Sequence, residues 1–392
     1  MDLATAKQAL CDEVDRRKTL LLDVSHSIHA KPELNFNEHH AHEVLVGALR
    51  SEGLEVEPHA FGLDTAFRAT AGSTGPTIAV FCEYDALPGI GHACGHNIIA
   101  AAGLGTGLAA AALADELGGR VVILGSPAEE GGGGKVVMAK AGALEGVDAA
   151  MMIHPADTDL RWMTTVAIRQ LAVDYSGEAA HAAAHPWDGR NALDAAVLGY
   201  MNIAALRQHI RPDERLHGIF TNGGDKPNIV PSSSSMEWFV RAPTLALVDA
   251  LGVRVIAALE AGALATGCEM AVRWIEPPYS DLVRNETLED LFSENAAVFG
   301  RTMGTPGVDG SVVGSTDMGN ISHLVPSIHP MLAVSPRGVG IHTEGFTAHA
   351  ADEGGDRGVL DGAKAMAMTV ADLWLNPESL AKCRADFERH TL

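Results

Sequence analysis

The sequence predicts an α/β fold: a mixed, largely parallel sheet flanked by helices, with a small α+β domain inserted into it. Three observations carry this. Apolar β-branched runs alternate with helical segments between residues 77 and 153, the signature of parallel strands joined by crossovers. The texture changes near 169 to shorter strands and two helices, and reverts after Pro277-Pro278. The chain has 392 residues, more than one core normally supports. The expected division is 1–168 and 281–392 for the main domain and 169–280 for the insert.

Taken in order, residues 3–28 show helical periodicity, and a turn at His29-Ala-Lys-Pro-Glu-Leu34 leads to an amphipathic helix over 38–52. Strands are expected at 54–58, 66–70, 77–81 and 121–125. Between the last two, residues 98–117 are rich in Ala, Gly and Leu and read as a buried globular helix, with Asp115 and Glu116 near its end. A helix to about 143 and a short strand over 148–153 complete the first part. The insert contributes strands near 166–175, 219–220, 235–240 and 270–274 and helices over 192–210 and 245–266. A strand at 328–334, a Gly-rich loop with His342 and a helix over 361–375 close the chain.

Composition narrows the function classes. At 47% hydrophobic and 20% charged the chain has an ordinary soluble composition. A formal charge of −22 excludes nucleic acid and anionic membrane as natural partners. An acidic substrate would need a local Arg, Lys or metal. Five scattered cysteines (Cys11, Cys82, Cys94, Cys268 and Cys383) form no disulfide framework and point to a reducing, cytoplasmic setting. Residues 1–18 are charged and helical in pattern, unlike a signal peptide.

The chemistry concentrates where strands end. Residues 81–96 hold Glu83, Asp85, His92, Cys94 and His96 among glycines, between an apolar strand and a buried helix. Cys94 and His96 flank a single glycine and can turn toward one point, a pair suited to zinc, manganese, cobalt or nickel. The plain alternative is a small core cysteine and a hydrogen-bonded histidine. The strand at 121–125 runs into Glu129-Glu130 and four glycines; one carboxylate can ligate a metal while the other takes a proton from water. The third strand ends on His154-Pro155. Parallel strands bring their carboxyl ends to one edge, so Cys94/His96, Glu129/Glu130 and His154 can converge. Asp85 can orient a ligating imidazole, Glu83 can lie behind the ligands, and His92 reads as a local hydrogen-bond partner. His209, His217, His323 and His329 read as structural.

Together these residues resemble the aminoacylase/carboxypeptidase family of co-catalytic metallohydrolases, in its subgroup with a cysteine metal ligand. The resemblance rests on His29-x-x-Pro-Glu-Leu34, Asp85-Ala-Leu-Pro88, His92-Ala-Cys-Gly-His96, Pro127-Ala-Glu-Glu-Gly131, the His181 to Ala192 segment, Asn228-Ile-Val-Pro231 and Gly314-Ser-Thr-Asp-Met-Gly319. It implies a zinc-exopeptidase-like fold whose insert is a lid and homodimer interface. It implies two divalent transition metals on Cys94, His96, Glu130, His154 and His342, with Glu129 as general base. His181 would stabilise the oxyanion, from the partner subunit in dimeric members, and Asn228 and Arg241 would grip a substrate carboxylate. Glu83-Tyr-Asp85 in place of Asp-x-Asp, Asn97 in place of Asp, and His342-Thr-Glu-Gly-Phe346 bring the chain closer to the p-aminobenzoyl-glutamate hydrolase and dipeptidase-like branch.

The expected function is therefore hydrolysis of the amide of an N-acyl amino acid or dipeptide-like substrate with a free carboxylate. The nucleophile is a metal-bound hydroxide prepared by Glu129. Two rivals are a thiol hydrolase with Cys94 as nucleophile, which leaves Glu129-Glu130 without a task, and a non-catalytic binding protein on the same fold.

Overall fold

A computed structural model describes residues 1–310 and 313–391. The chain divides into two compact units, Met1–Thr164 with Leu282–Leu392, and Thr165–Asp281.

The first unit is built on a six-stranded sheet. Its strands include β1 (Val56–Pro58), β2 (Phe67–Ala71), β3 (Thr77–Glu83), β4 (Arg120–Ser126) and β5 (Ala149–Met151), in the order β1-β2-β4-β3-β5, with Ser327–Ile328 at the far edge. β3 pairs in parallel with β4, from Thr77 opposite Arg120 to Glu83 opposite Ser126, and with β5 on its other side. β1, β2 and β4 run antiparallel to one another in turn, so the sheet is mixed. Every residue of β3 is buried, as expected of a parallel strand covered on both faces. β6 (His154–Ala156) follows β5 directly and pairs in parallel with Met331–Ala333. The carboxyl ends of β3, β4 and β5 therefore lie side by side, which is what the site needs.

The helix His96–Leu117 is long and apolar enough to cross a membrane, but 83% of its apolar window is buried inside the unit. It packs on β3 and against Glu353–Leu375. It starts at His96, two residues before the sequence suggests, because Gly95 takes the left-handed conformation (φ +73°) at its N-cap.

Three elements depart from the pattern expected of the sequence. The helix over 3–28 is two, Leu3–Arg16 and Lys18–Ala30, broken at Arg17, whose buried guanidinium donates to Glu52 at 2.7 Å. The strand over 328–334 is Ser327–Ile328 and Met331–Ala333, separated at Pro330, which has no N–H for a ladder. The helix expected at 361 starts at Glu353, capped by Asp352, and a further helix, Pro377–Thr391, follows it.

The second unit is a four-stranded antiparallel sheet in the order Glu269–Tyr279, Ala167–Ser176, Ser233–Ala242, Arg215–Asn222. Burial alternates along Ser233–Ala242, so Met236, Trp238 and Val240 share one face. The helices Ala192–Leu206 and Leu245–Thr266 pack on this sheet and on each other, giving the unit its own core.

Candidate metal centre

The candidate ligands sit on segments that follow strands of the first unit or, for His154, open one. β3 ends at Glu83 and the chain turns through Asp85 to Cys94-Gly95-His96. A Cβ on Gly95 would lie 2.9 Å from the Pro155 ring, so the glycine lets this loop close on the His154 strand. β4 ends at Ser126, and the turn after it carries Glu129 and Glu130. His154 opens β6. His342 has φ +64°, and its backbone N–H donates to the Ala93 carbonyl at 2.8 Å, so the Gly-rich loop is tied to the Cys94 segment.

The side chains converge. Cys94 Sγ lies 3.4 Å from His154 Nε2 and 3.4 Å from His342 Nε2. Glu130 Oε1 lies 3.5 Å from His342 Nε2 and 3.9 Å from His96 Nε2. Cys94, His96 and His154 bring one donor atom each within 4.8 Å of the others, and Cys94, Glu130 and His342 do the same. The two groups share Cys94, as two neighbouring cations would require. Glu83, His96 and Glu129 form a third such group.

The second nitrogen of each buried imidazole is already committed. His96 Nδ1 lies 3.0 Å from Asp85 Oδ1, and His154 Nδ1 lies 2.7 Å from the Pro155 carbonyl. Those acceptors place the ring proton on Nδ1 and leave the Nε2 lone pair for a ligand. Asp85 also accepts from the Glu130 N–H at 2.9 Å, so one carboxylate sets both a histidine and the turn that carries Glu130.

Electrostatics agree with a cation site. His96 Nε2, Glu130 Oε1 and Glu83 Oε1 are buried without a hydrogen-bond partner. His96 Nε2 and Glu83 Oε1 approach to 3.1 Å without the alignment of a hydrogen bond. Burial, then Glu83 and Glu130, hold the Glu129 carboxyl well above its usual range. Burial pushes the Cys94 thiol far up, and Glu130 adds to it. His154 is pushed down to about 3 by burial and by His96, so its imidazole is neutral. Burial resists charge on His96 and on Glu130; Glu83 outweighs it in the first case and the neighbouring His342 imidazole in the second. Glu129, Cys94 and His96 hold their protons tightly, as groups short of nearby positive charge do. Sulfur, imidazole and carboxylate donors suit a zinc-like divalent transition metal. The same facts disfavour Cys94 as a free nucleophile, since reactive thiols sit exposed beside positive charge and Cys94 is 5% exposed among carboxylates.

Other residues fall elsewhere. His92 is buried beside His29, their ring centroids 6.1 Å apart, and joins neither ligand group. Asn97 donates to Ser25 Oγ and the Ala350 carbonyl and serves packing. In the second unit, His181 and Asn228 share one loop pair: Ala182 N–H donates to the Asn228 carbonyl, and His181 Nδ1 accepts from the Ala184 N–H. Arg241 lies at the end of Ser233–Ala242 remote from that loop, roughly 25 Å along the strand, with Nε 3.2 Å from His217 Nε2. Asn228 and Arg241 therefore lie toward opposite ends of that strand.

Lys135 was not singled out from the sequence, and His329 lies closer to the site than the sequence indicates. Lys135 is fully buried, with Nζ on Asp317 Oδ1 at 2.7 Å and on Glu83 Oε2. The signal available was a lysine opening an apolar helix after a glycine run. His329, read as structural, lies 5.4 Å from the His154 ring, and both its nitrogens are buried without hydrogen-bond partners.

Comparison with known proteins places the chain among metallopeptidases. The profile of peptidase family M20/M25/M40 matches residues 81–372. The Xaa-Arg dipeptidase of Mus musculus is 39% identical over 407 residues, covering 99% of this chain and 93% of the relative. A p-aminobenzoyl-glutamate hydrolase chain of Escherichia coli (strain K12) is 29% identical over 456 residues, covering 97% and 94%. Among solved structures, the aminobenzoyl-glutamate utilization protein of Klebsiella pneumoniae has the same fold, with a TM-score of 0.73 at 21% identity over 92% of this chain and 98% of that one. A dinuclear metal binding peptidase of Bacillus subtilis also shares it, with a TM-score of 0.67 at 22% identity over 91% and 98%. The chain belongs to peptidase family M20/M25/M40 and is a metallohydrolase of that family.

Proposed function

We propose that the protein hydrolyses the amide bond of a dipeptide whose C-terminal residue is arginine or a similar cation. The observation that carries the hydrolytic part is the convergence of Cys94, His96, Glu130, His154 and His342 beside Glu129. The substrate class is supported by the 39% identity to Xaa-Arg dipeptidase over nearly the whole chain. A formal charge of −22 also favours cationic over anionic substrates.

Cys94, His96, Glu130, His154 and His342 would hold two divalent ions. Such ions supply Lewis-acid charge, polarising the scissile carbonyl and acidifying water. Asp85 and the Pro155 carbonyl keep the two buried imidazoles presenting Nε2. Glu129 takes a proton from the attacking water and returns it to the leaving amine. His181, on the insert, is assigned to the developing oxyanion, and the insert to a homodimer contact. Both assignments follow from the family resemblance.

Glu129→Gln tests the reading. It should keep the wild-type metal content and lose about 10²–10⁴-fold in kcat on Xaa-Arg dipeptides. Wild-type turnover in that variant would overturn the assignment of the base.

A further inference from the structure

The turn that carries Glu129 is strained. Ala128 has φ +57°, a left-handed conformation that costs a non-glycine residue about 1–2 kcal/mol. Something must hold it there. Its N–H donates to Glu38 Oε1 at 2.9 Å, and Glu38 is completely buried, 90 residues away in sequence.

The same oxygen holds a second strained residue. Phe36, at φ +59°, donates its N–H to Glu38 Oε1 at 3.0 Å. Glu38 Oε2 accepts from Thr65 Oγ1 at 2.9 Å, which fixes the carboxyl plane. The Phe36 ring lies against the glycines beyond Glu130: a Cβ on Gly132, at φ +144°, would come within 2.4 Å of it. A Cβ on Gly131 would lie 2.7 Å from Asn35 Nδ2. On the other side of Glu129, the Glu130 N–H is held by Asp85. The residue between these anchors is thus gripped through the N–H groups before and after it.

We infer that Glu38 is a positioning residue for Glu129: it holds Ala128 in its left-handed conformation and so aims the carboxylate that follows. This rests on Glu129 being the base. It gives the segment after His29-x-x-Pro-Glu-Leu34 a task in the site, because this turn supplies both Phe36 and Glu38. Without the Glu38 acceptor, Ala128 relaxes toward right-handed or extended backbone and Glu129 swings away.

The test compares Glu38→Ala, Glu38→Gln, Glu38→Ala with Ala128→Gly, and Glu129→Gln, all loaded with zinc. Glu38→Ala should lose about 10²-fold in kcat, with KM changed less than about threefold, as for an ångström-scale misplacement. Glu38→Gln, which keeps an oxygen acceptor, should stay within about threefold of wild type. Adding Ala128→Gly should recover part of the loss, because glycine holds a left-handed φ unaided. Hydrogen exchange at residues 127–131 should speed up in Glu38→Ala and not in Glu38→Gln, with metal content unchanged in both. Wild-type kcat and exchange in Glu38→Ala, or no recovery from Ala128→Gly, would overturn the inference. Full activity in Glu129→Gln would instead sink the base assignment beneath it. Should Glu38→Ala not fold, Glu38→Asp retracts the carboxylate by one methylene and is held to the same outcomes.

Discussion

Lys135→Met is the most demanding test of the charge arrangement behind the site. Lys135, Glu83 and Asp317 are all fully buried, and the ammonium pairs with both carboxylates. Burial works against its charge, but Asp317 and Glu83 outweigh it and raise the lysine above its usual range. Methionine fills similar volume and removes the charge, leaving two carboxylates in a dry core. Breaking a buried pair by deleting one partner costs about 3–5 kcal/mol. Asp317 keeps the Lys135 backbone N–H at 2.9 Å in the variant, so the loss belongs within that range rather than at its double. Urea unfolding at pH 7, with metals chelated in both proteins, should read a loss of this size. It should shrink at lower pH as the stranded carboxylates take up protons. Adding Glu83→Gln should recover about 1–3 kcal/mol by removing one stranded charge. A loss below about 1 kcal/mol, or none regained with Glu83→Gln, would show that the triad is not the charge balance described.

Asp85→Asn should lower metal affinity about 10–100-fold, measured by competition with a chromophoric chelator. Its single amide oxygen must serve the Glu130 N–H, and the amide NH2 then faces His96 Nδ1 and drives the ring proton onto Nε2. Gly95→Ala should lose bound metal and about 1–2 kcal/mol or more of stability, because a left-handed alanine at φ +73° would also press on Pro155. Glu38 gives a pH signature. Burial, with Asp85 adding to it, raises its pKa to about 7 from 4.5, so the folded state keeps a proton that the unfolded chain releases. Wild-type stability, relative to Glu38→Gln, should be highest below pH 4.5, fall by up to about 3 kcal/mol as pH rises to 7, and level off above. A flat difference across that range would refute it.

Much of the site is legible from local pattern. β3, β4 and β5 are apolar runs, each followed closely by a polar cluster, and parallel strands bring such ends together. Cys94, His96, Glu130 and His154 could be picked out because each lies in the polar segment after an apolar strand. What was hidden depends on partners far away in the chain. Nothing near Lys135 shows that Glu83 and Asp317, 52 and 182 residues distant, neutralise it. Glu38 looks like one more surface acid before a helix until the fold sets it under Ala128. The break at Arg17 and the split at Pro330 have the same origin: side-chain pairing and ladder donors, not apolar periodicity, decide where those elements stop.

Metal content by mass spectrometry, after reconstitution with zinc or manganese, tests whether the site anchored on Cys94 holds two cations. About two ions per chain are expected in the wild type, falling in Cys94→Ala because that sulfur belongs to both ligand groups. No bound metal in the wild type, or an unchanged two in Cys94→Ala, would contradict a two-cation site anchored on Cys94.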